Sequence, residues 1–330
     1  MPQISSHARV TSIDVARRAG CSQSTVSLVL SGKGRGRISA ATEEAVRTAA
    51  AELGYRPNVA ARTLRTGVAR TVGLVVPDIT NPFFGRMMRG AQRAAQQAGY
   101  TVVLVDAGGN RAWEAASVQA LLAGPADGLL LFEVSLPPGA AERAIGIEMR
   151  PGDIPVVRLD VEAGVDAAIS HLLELGHRRI GHVASAFVAP TFDLRASALA
   201  SRLAEAGLEV AGRVESLFSF EQAHAASRPL LDAGVTAVVC DDDILAGGFY
   251  LAAREAGAAI PGDVSVIGFD DLDFARVLAP PLTTVAADAE GLGAAAFRAL
   301  ASDLAGEPPP AEQLLPVRLE VRESTAPPRG

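Results

Sequence analysis

The sequence has little cysteine, one tryptophan and no long apolar run, and each shortage excludes a class of protein. Only Cys21 and Cys240 are cysteines among its 330 residues, with no Cys-x-x-Cys pair, so neither a disulfide framework nor a zinc site is expected. No stretch reaches the roughly 18 consecutive apolar residues of a membrane span, and "MPQISSHARV" lacks the apolar centre of a signal peptide. We therefore expect a cytoplasmic protein with no membrane partner, no metal and no cofactor.

Acidic residues outnumber basic ones in the whole chain, but not in its first part. The formal net charge is −7. Residues 1–70 contain 11 Lys and Arg against 4 Asp and Glu, whereas residues 71–330 contain 19 against 33. This division indicates a basic module on an acidic body, and only the basic module should be attracted to nucleic-acid phosphates.

Three short helices are predicted in the basic part, each opened by a hydroxyl residue. Thr11 with Asp14 can cap a helix around "IDVARRAG", Ser22 a second, and Ser39 a third, "AATEEAVRTAAAEL", which Gly54 closes. Two short helices across a tight turn, braced by a third, are typical of a helix-turn-helix unit. Helical spacing predicts these buried residues: Ile13, Val15, Ala16 and Ala19 in the first helix, and Val26, Val29 and Leu30 in the second.

From Thr71 onward, apolar runs alternate with amphipathic helices, and this pattern predicts parallel sheets. The runs are "TVGLVV", "TVVLVD", "DGLLLF", "IPVVRL", "RIGHVA", "VTAVVC" and "VSVIGF", and such runs indicate strands covered on both faces. These runs are more strands than one compact sheet usually holds, so we expect two doubly wound α/β lobes with a cleft between them. Ligands bind beyond the carboxyl ends of such strands, where these polar residues stand: Asp78, Asp106, Glu133, Asp160, Ser185, Asp241, Asp242, Asp243, Asp270 and Asp271.

Taken together, these residues resemble the lactose/galactose-repressor (LacI/GalR) family of bacterial transcription regulators over nearly the whole chain. The matching stretches are "IDVARRAGCSQSTVSLVLSG", "ISAATEEAVRTAAAELGYRPNVAARTLRTG", "VGLVVPDITNPFF", "HLLELGHRRIGHV", "IPGDVSVIGFDD", "PPLTTV" and "VRESTAPP". One departure is a segment between "PVVRLD" and "VEAGVDAAISHLL" that is shorter than in relatives. The resemblance implies a homodimer, bound to a pseudo-palindromic DNA operator and controlled by a small effector such as a sugar or a nucleoside-like molecule.

The resemblance also implies the domain organisation. Residues 1–56 would form the all-α helix-turn-helix headpiece, 57–70 a hinge helix and linker, and 71–330 a core like periplasmic sugar-binding proteins. The first lobe would comprise about 71–158 and 286–313, and the second about 159–285 and 314–328.

The crowded polar residues of "GCSQSTVSLVLSG" (20–32) then correspond to a recognition helix and its approach. The family's base-reading positions match Gln23, Ser24 and Leu28, and its phosphate-contacting positions match Thr11, Ser22, Thr25 and Ser27. Gln can pair with adenine and Leu can contact only an apolar group such as a thymine methyl. The alternative is a capped core helix of a small domain.

The hinge "PNVAARTLRTG" (57–67) is a short predicted helix that is marginal in isolation. By resemblance, two such helices enter the minor groove together, and Leu64 wedges between base pairs. Ala61 would approach the groove floor, and Asn58 and Arg62 would contact the backbone or the groove. The alternative is that Leu64 packs the helix onto the body.

The effector positions of the family match Phe83, Phe84, Arg195, Phe220, Asp242 and Asp270. Carboxylates that accept hydroxyl protons and an arginine that donates a fork suit a sugar. Asp242 is commonly Asn in relatives, so it adds charge, and any of these residues could instead cap a helix. "DDD" (241–243) could alternatively hold a hard cation.

Two other functions compete with a repressor. One is a solute-binding protein, and the other is a sugar- or nucleotide-processing enzyme of doubly wound fold. The basic first part opposes the former, and the lack of a plausible catalytic pair in the spacing opposes the latter.

Overall fold

The computed structural model describes residues 10–31, 34, 36–55, 68–108, 110–124, 126–134 and 143–329. They form two compact units that divide after Ala69. The hinge residues Asn58, Ala61, Arg62 and Leu64 lie outside the described residues. Within the described part, no helix is long and apolar enough to cross a membrane.

The first unit contains the three expected helices, α1 (Ser12–Ala19), α2 (Gln23–Leu30) and α3 (Ala40–Glu52). Thr11 and Asp14 form the predicted capping box, and the hydroxyls of Ser22 and Ser39 accept N–H groups of the first turns of α2 and α3. Gly54 has the left-handed φ of 62° that suits a residue just beyond a helix. The capping predictions are therefore confirmed.

The helices of this unit enclose a small apolar core. Its fully buried side chains come from all three helices: Val15, Ala16, Val26, Val29, Val46, Ala49 and Ala50. The prediction for Ile13 is wrong, because its side chain is 53% exposed. Ile13 lies two positions before Val15, which places it about 200° away around the helix and on the opposite face.

The second unit begins with a lobe built on a six-stranded parallel sheet. Its strands are β1 (Thr71–Val76), β2 (Thr101–Asp106), β3 (Gly128–Phe132), β4 (Ala144–Ile147), β5 (Val156–Leu159) and β11 (Glu312–Leu315), in the order β11-β5-β4-β3-β1-β2. Its helices are α4 (Pro82–Gln97), α5 (Arg111–Ala123) and α10 (Ala289–Leu304). α4 and α10 cover one face and α5 the other, because alternate strand residues join two separate apolar clusters.

The other lobe repeats this architecture. Its strands are β6 (Ile180–Ser185), β7 (Gly212–Ser216), β8 (Ala237–Cys240), β9 (Ser265–Phe269), β10 (Thr283–Ala286) and β12 (Arg318–Glu320), in the order β12-β10-β9-β8-β6-β7. All pairs are parallel except β10 with β12. Its helices are α6 (Val161–Glu174), α7 (Pro190–Glu205), α8 (Phe220–Asp232) and α9 (Asp243–Glu255). The prediction of two doubly wound α/β lobes is confirmed.

The chain crosses between the lobes three times. β5 ends at Leu159 and α6 begins at Val161, with Asp160 as the cap, so the first crossing is one residue long. The second crossing joins β10 to α10, and the third joins β11 to β12.

In the first lobe, α4 packs closely against α10, the helix that follows the second crossing between the lobes. A methyl group on Gly90 would lie 1.8 Å from the carbonyl oxygen of Glu290, and one on Gly293 would lie 2.0 Å from that of Met87. Both positions therefore require glycine. These two glycines therefore let the backbones of α4 and α10 lie in direct contact.

Candidate functional site

The exposed face of α2 consists of short polar side chains. Ser22, Gln23, Ser24 and Ser27 are exposed, whereas Val26 and Val29 are buried beneath them. The hydroxyl of Ser22 lies 2.7 Å from that of Ser24 and 2.8 Å from that of Thr25. The start of α2 therefore presents a cluster of hydroxyls beside its free backbone N–H groups, which is an arrangement that suits a phosphate.

The remaining predicted headpiece contacts differ in their exposure. Thr11 is exposed, and its hydroxyl donates to the Asp14 carboxylate at 2.7 Å. Thr25 and Leu28 are half-buried. The side-chain amide of Gln23 donates to the Ser12 hydroxyl at 2.9 Å, so this side chain is held toward α1.

A pocket of about 160 Å³ lies between the lobes, at the carboxyl ends of their strands. Side chains that follow β1, β3, β4, β6, β8 and β9 meet there, as the sheet topology requires. The structure brings together five of the six predicted effector residues in its lining: Phe83, Phe84, Arg195, Asp242 and Asp270.

The structure does not bring Phe220 to this pocket. Phe220 is the first residue of α8, and its ring packs edge-on against Phe274 with the centroids 5.4 Å apart. Its other side contacts the backbone of α9, where a methyl group on Gly247 would lie 2.4 Å from the ring. Phe218, two residues earlier and before the helix begins, lines the pocket instead.

Aromatic rings form two facing walls of the pocket, one from each lobe. On the first lobe, Phe84 packs edge-on against Phe132 and Phe83, with centroids 4.9 and 5.6 Å apart. On the second lobe, Phe218 contacts Phe187 and Phe192, with centroids 5.3 and 5.6 Å apart. Such walls provide a large apolar contact surface for a ligand.

Arg195 is the only basic side chain among the described residues that line the pocket. It is buried, its guanidinium lies 3.6 Å from the centroid of the Phe269 ring, and Nη1 donates to the backbone carbonyl of Asp241. Its Nε has no partner among the described residues. A buried donor without a partner is costly, so Nε is available to a ligand.

Two glutamates that were not predicted as site residues face Arg195 from the first lobe. Burial, with a smaller contribution from the neighbouring Glu148, raises the pKa of Glu133 to about 8. Burial raises the pKa of Glu148 to about 7, although the backbone N–H of Leu159, which donates to this carboxyl at 2.6 Å, lowers it in part. Both residues have left-handed backbone, with φ of 52° and 56°, a strained conformation that is often found at functional sites.

Asp241 is buried but anchored by protein donors. Although burial raises its pKa, hydrogen bonds from the His182 ring at 2.9 Å and from the Ser185 N–H at 2.8 Å lower it below its usual value. Asp243 points elsewhere, to the N–H of Leu272 at 2.7 Å. The carboxyls of "DDD" thus contact separate partners, and no cluster suited to a metal ion occurs among the described residues.

Asp242 and Asp270 form a buried acid pair on the second lobe. Burial raises the pKa of both, and the negative charge of Asp270 raises that of Asp242 as well. Asp242 also caps α9 at the Ile244 N–H, so the helix-capping alternative describes one of its roles. Asp270 has a φ of 99°, and its Oδ1 has no partner in the part of the chain that the structure describes.

Sequence reasoning missed several pocket residues for identifiable reasons. Glu133 follows β3 directly and was noted as a polar strand-end residue, but it was not assigned to the site. Glu148 follows β4, whose four residues "AIGI" give too short a signal for a strand. Thr191 bridges the lobes through its hydroxyl bond to Glu148, at 3.2 Å, and such a pairing is set only by the tertiary fold.

Comparison with known proteins supports the resemblance of both units. Residues 12–58 match the family described as "Bacterial regulatory proteins, lacI family", and residues 169–325 match "Periplasmic binding protein-like domain". The chain is 32% identical over 310 residues to the HTH-type transcriptional repressor CytR of Escherichia coli (strain K12), which covers 89% of each chain. The chain belongs to the LacI family.

Further relatives agree with this LacI-family membership. The ribose operon repressor of Halalkalibacterium halodurans is 34% identical over 322 residues, 94% of this chain and 96% of that one. A structure of the Lac repressor dimer bound to operator and the anti-inducer ONPF is similar with a TM-score of 0.86 at 27% identity, covering 96% of this chain and 99% of that one. This LacI-family chain is accordingly a ligand-responsive DNA-binding transcriptional regulator.

Proposed function

We propose that the protein is a homodimeric repressor that reads a pseudo-palindromic operator with α2. Gln23 and Leu28 contact base edges, and the hydroxyls of Ser22 and Ser27 contact phosphates that fix the register. The proposal is supported by the exposed polar face of α2, the basic charge of residues 1–70, and the Lac repressor dimer–operator complex of similar fold.

A hydroxylated small molecule in the pocket between the lobes controls this binding. The observation that carries the proposal is the pocket itself, in which buried Arg195 and Asp270 each keep an unpartnered polar atom between two aromatic walls. The named ligands and operons of its relatives, ribose among them, are consistent with a sugar-like effector.

The effector acts by changing the contacts that join the lobes around it. The Asn81 side-chain amide donates to Asp242 at 3.0 Å, and Arg150 pairs with Asp193 at 3.1 Å. Each bond joins a first-lobe residue to a second-lobe residue at or near the pocket, so a ligand that inserts there shifts the lobes. That shift alters the pairing of the two hinges, 57–67, and with it the operator affinity.

The Ser185, His182 and Asp241 cluster next to the pocket does not have the arrangement of a catalytic triad. His182 contacts Asp241 through Nε2 and is only 2% exposed, while Ser185 gives its backbone N–H, not its hydroxyl, to that carboxylate. A nucleophile needs its hydroxyl against a base, and these three residues are not arranged in that way. The cluster holds β6 against β8 instead.

The test uses the full-length protein and duplexes selected from a random pool. We expect one enriched two-fold sequence, binding by a dimer in sedimentation, and a steep loss of affinity as salt rises. A panel of sugars and nucleosides should contain a compound that changes operator affinity. A monomer that binds all duplexes equally would contradict the proposal.

A further inference from the structure

The pocket between the lobes is strongly acidic. Seven carboxyl groups line it, whereas Arg195 provides the single positive charge among the described lining residues. The carboxyls come from both lobes: Asp78, Glu114, Glu133, Glu148, Asp241, Asp242 and Asp270. A positively charged ligand would stabilise the ionised form of these buried acids, whereas a ligand that offers only hydroxyls would not.

Several of these carboxyls are satisfied by protein donors, whereas two of them keep one buried oxygen without a partner among the described residues. Asp241 and Glu148 are each held by two hydrogen bonds, and Asp242 caps α9 and accepts from Asn81. In contrast, Oε1 of Glu133 and Oδ1 of Asp270 are buried and have no partner among the described residues. These two oxygens are the acceptors that remain for a bound molecule.

Each of the two orphaned oxygens belongs to a residue held in left-handed backbone directly after a strand. Glu133 follows β3 of the first lobe and Asp270 follows β9 of the second, with φ of 52° and 99°. Both carboxyls line the same pocket as Arg195, so they face a common space. The strained backbone of Glu133 and Asp270 thus coincides with the two unpartnered oxygens, as expected for a binding site.

The aromatic walls add a second attraction for positive charge. The faces of aromatic rings attract ammonium groups, most strongly where water is excluded. Six phenylalanines line the pocket: Phe83, Phe84, Phe132, Phe187, Phe192 and Phe218. An ammonium also carries three donors, whereas a hydroxyl carries one, so it can satisfy a buried carboxylate and a further acceptor together.

We propose that the effector is an amino sugar, a hydroxylated ring whose ammonium group pairs with the Glu133 carboxylate while its hydroxyls contact Arg195 and Asp270. This inference rests on the proposed function, since it specifies the ligand of the same pocket. Glu133 is the residue that determines specificity, because its orphaned oxygen has no other role in the fold.

Binding of such a molecule changes the protonation of the pocket. The pKa of Glu133, raised by burial to about 8, keeps this carboxyl protonated at pH 7 in the free protein. An ammonium beside it stabilises the ionised form, so a proton is released on binding at pH 7. A neutral sugar has no such effect on Glu133.

The experiment compares matched sugars by titration calorimetry on the full-length protein. The pairs are glucosamine with glucose, galactosamine with galactose, and mannosamine with mannose, at pH 7 in two buffers of different ionisation enthalpy. In at least one pair we expect the amino sugar to bind about tenfold or more tightly than its neutral counterpart, with proton release. The variant E133Q should reduce this preference to about threefold or less, whereas E205Q, an exposed change at the far end of α7, should retain it.

The other outcomes separate this inference from the proposed function. Neutral sugars that bind as tightly as amino sugars would overturn the amino-sugar assignment and leave the hydroxylated effector in place. A preference that survives in E133Q would overturn the assignment of Glu133. No binding by any of the six compounds would overturn the inference, and operator release by another hydroxylated compound would then still support the proposed function.

Discussion

Asn81 and Asp242 join the two lobes at the inner end of the pocket. The Nδ2 group of Asn81 donates to Oδ2 of Asp242 at 3.0 Å, and both side chains are buried. Each side chain also caps a helix, since Asn81 accepts the N–H of Phe83 at the start of α4 and Asp242 accepts that of Ile244 at the start of α9. One hydrogen bond therefore fixes the relative position of two helix N-termini on opposite lobes.

Removing this carboxyl should destabilise the core more than the loss of an ordinary cap. Asp242→Ala leaves the buried Asn81 amide unsatisfied in addition to uncapping α9, so we expect a loss of about 1–3 kcal/mol beyond the cap itself. Ser219→Ala, which removes the half-buried side-chain cap of α8, is the control and should cost about 1 kcal/mol. Denaturant unfolding measures both, and equal losses would show that the bridge to Asn81 contributes nothing.

The elements that the sequence predicts best are those whose signal is local. Helix caps predicted α1, α2 and α3, and continuous apolar runs predicted β1, β2, β3, β5, β6, β8 and β9, because a cap and an apolar strand each require particular residues nearby. Strands such as β7, "GRVES", were missed because edge strands alternate polar with apolar residues over few positions.

The pocket was predictable only in part, for a physical reason. Asp242 and Asp270 could be predicted as site residues from their position after strands, since topology alone places such residues at the cleft. The direction of a side chain that starts a helix depends on which way that helix leaves the sheet. Phe220 and Phe218 differ in this respect, and the sequence around them does not distinguish which ring faces the ligand.

The raised pKa values of the pocket acids should make the core less stable as pH rises. Glu133 and Glu148 have folded pKa values of about 8 and about 7 against 4.5, so they retain protons that the unfolded chain has lost, Glu133 between about pH 5 and 8 and Glu148 between about pH 5 and 7. Each such proton lowers the free energy of unfolding by about 1.4 kcal/mol per pH unit in that window.

The measurement is the free energy of unfolding between pH 5.5 and 8.5, compared with the double variant Glu133→Gln, Glu148→Gln. Groups such as His171 and His177, whose pKa values burial lowers, act in the opposite direction and remain in both proteins. The variant should therefore lose less stability toward high pH than the unmodified protein. Parallel curves would refute the assignment of these two acids as protonated when buried.

Gln23 should carry base preference without contributing to general DNA affinity. Gln23→Ala should weaken binding to the selected operator by about 1–3 kcal/mol and leave binding to random duplex unchanged. Ser27→Ala, which removes a proposed phosphate contact from the same helix face, should weaken binding to the operator and to the random duplex by the same factor. Band shifts with the two duplexes provide the comparison, and a uniform loss for Gln23→Ala would remove it from base reading.

Leu64 should determine operator affinity independently of the effector. If it wedges between the central base pairs, Leu64→Ala loses the kink and the groove contacts that depend on it. We expect weaker operator binding and reduced DNA bending, with unchanged calorimetric affinity for the effector. Bending is measured by circular permutation of the operator. Unaltered bending in Leu64→Ala would place the wedge on another residue or remove it from the mechanism.

Arg195 should couple the effector to the operator response. Its stem is buried and its guanidinium stacks on Phe269, so Arg195→Met keeps most of the packing while removing the charged donors. Loss of charge-assisted hydrogen bonds costs about 1.5–3 kcal/mol, and effector affinity should fall accordingly. Operator affinity without effector should stay unchanged.

The matched control for Arg195 lies on the same helix. Arg202, in the last turns of α7, pairs with Asp166 at 2.7 Å and does not line the pocket, so Arg202→Met should leave the effector response intact. Calorimetry with the tightest-binding sugar or amino sugar gives the affinity, and band shifts give the operator response. If the operator affinity of Arg195→Met responds to the effector at the same concentration as that of the unmodified protein, the guanidinium does not contact the ligand, and the orphaned Nε is explained by neither effector nor fold.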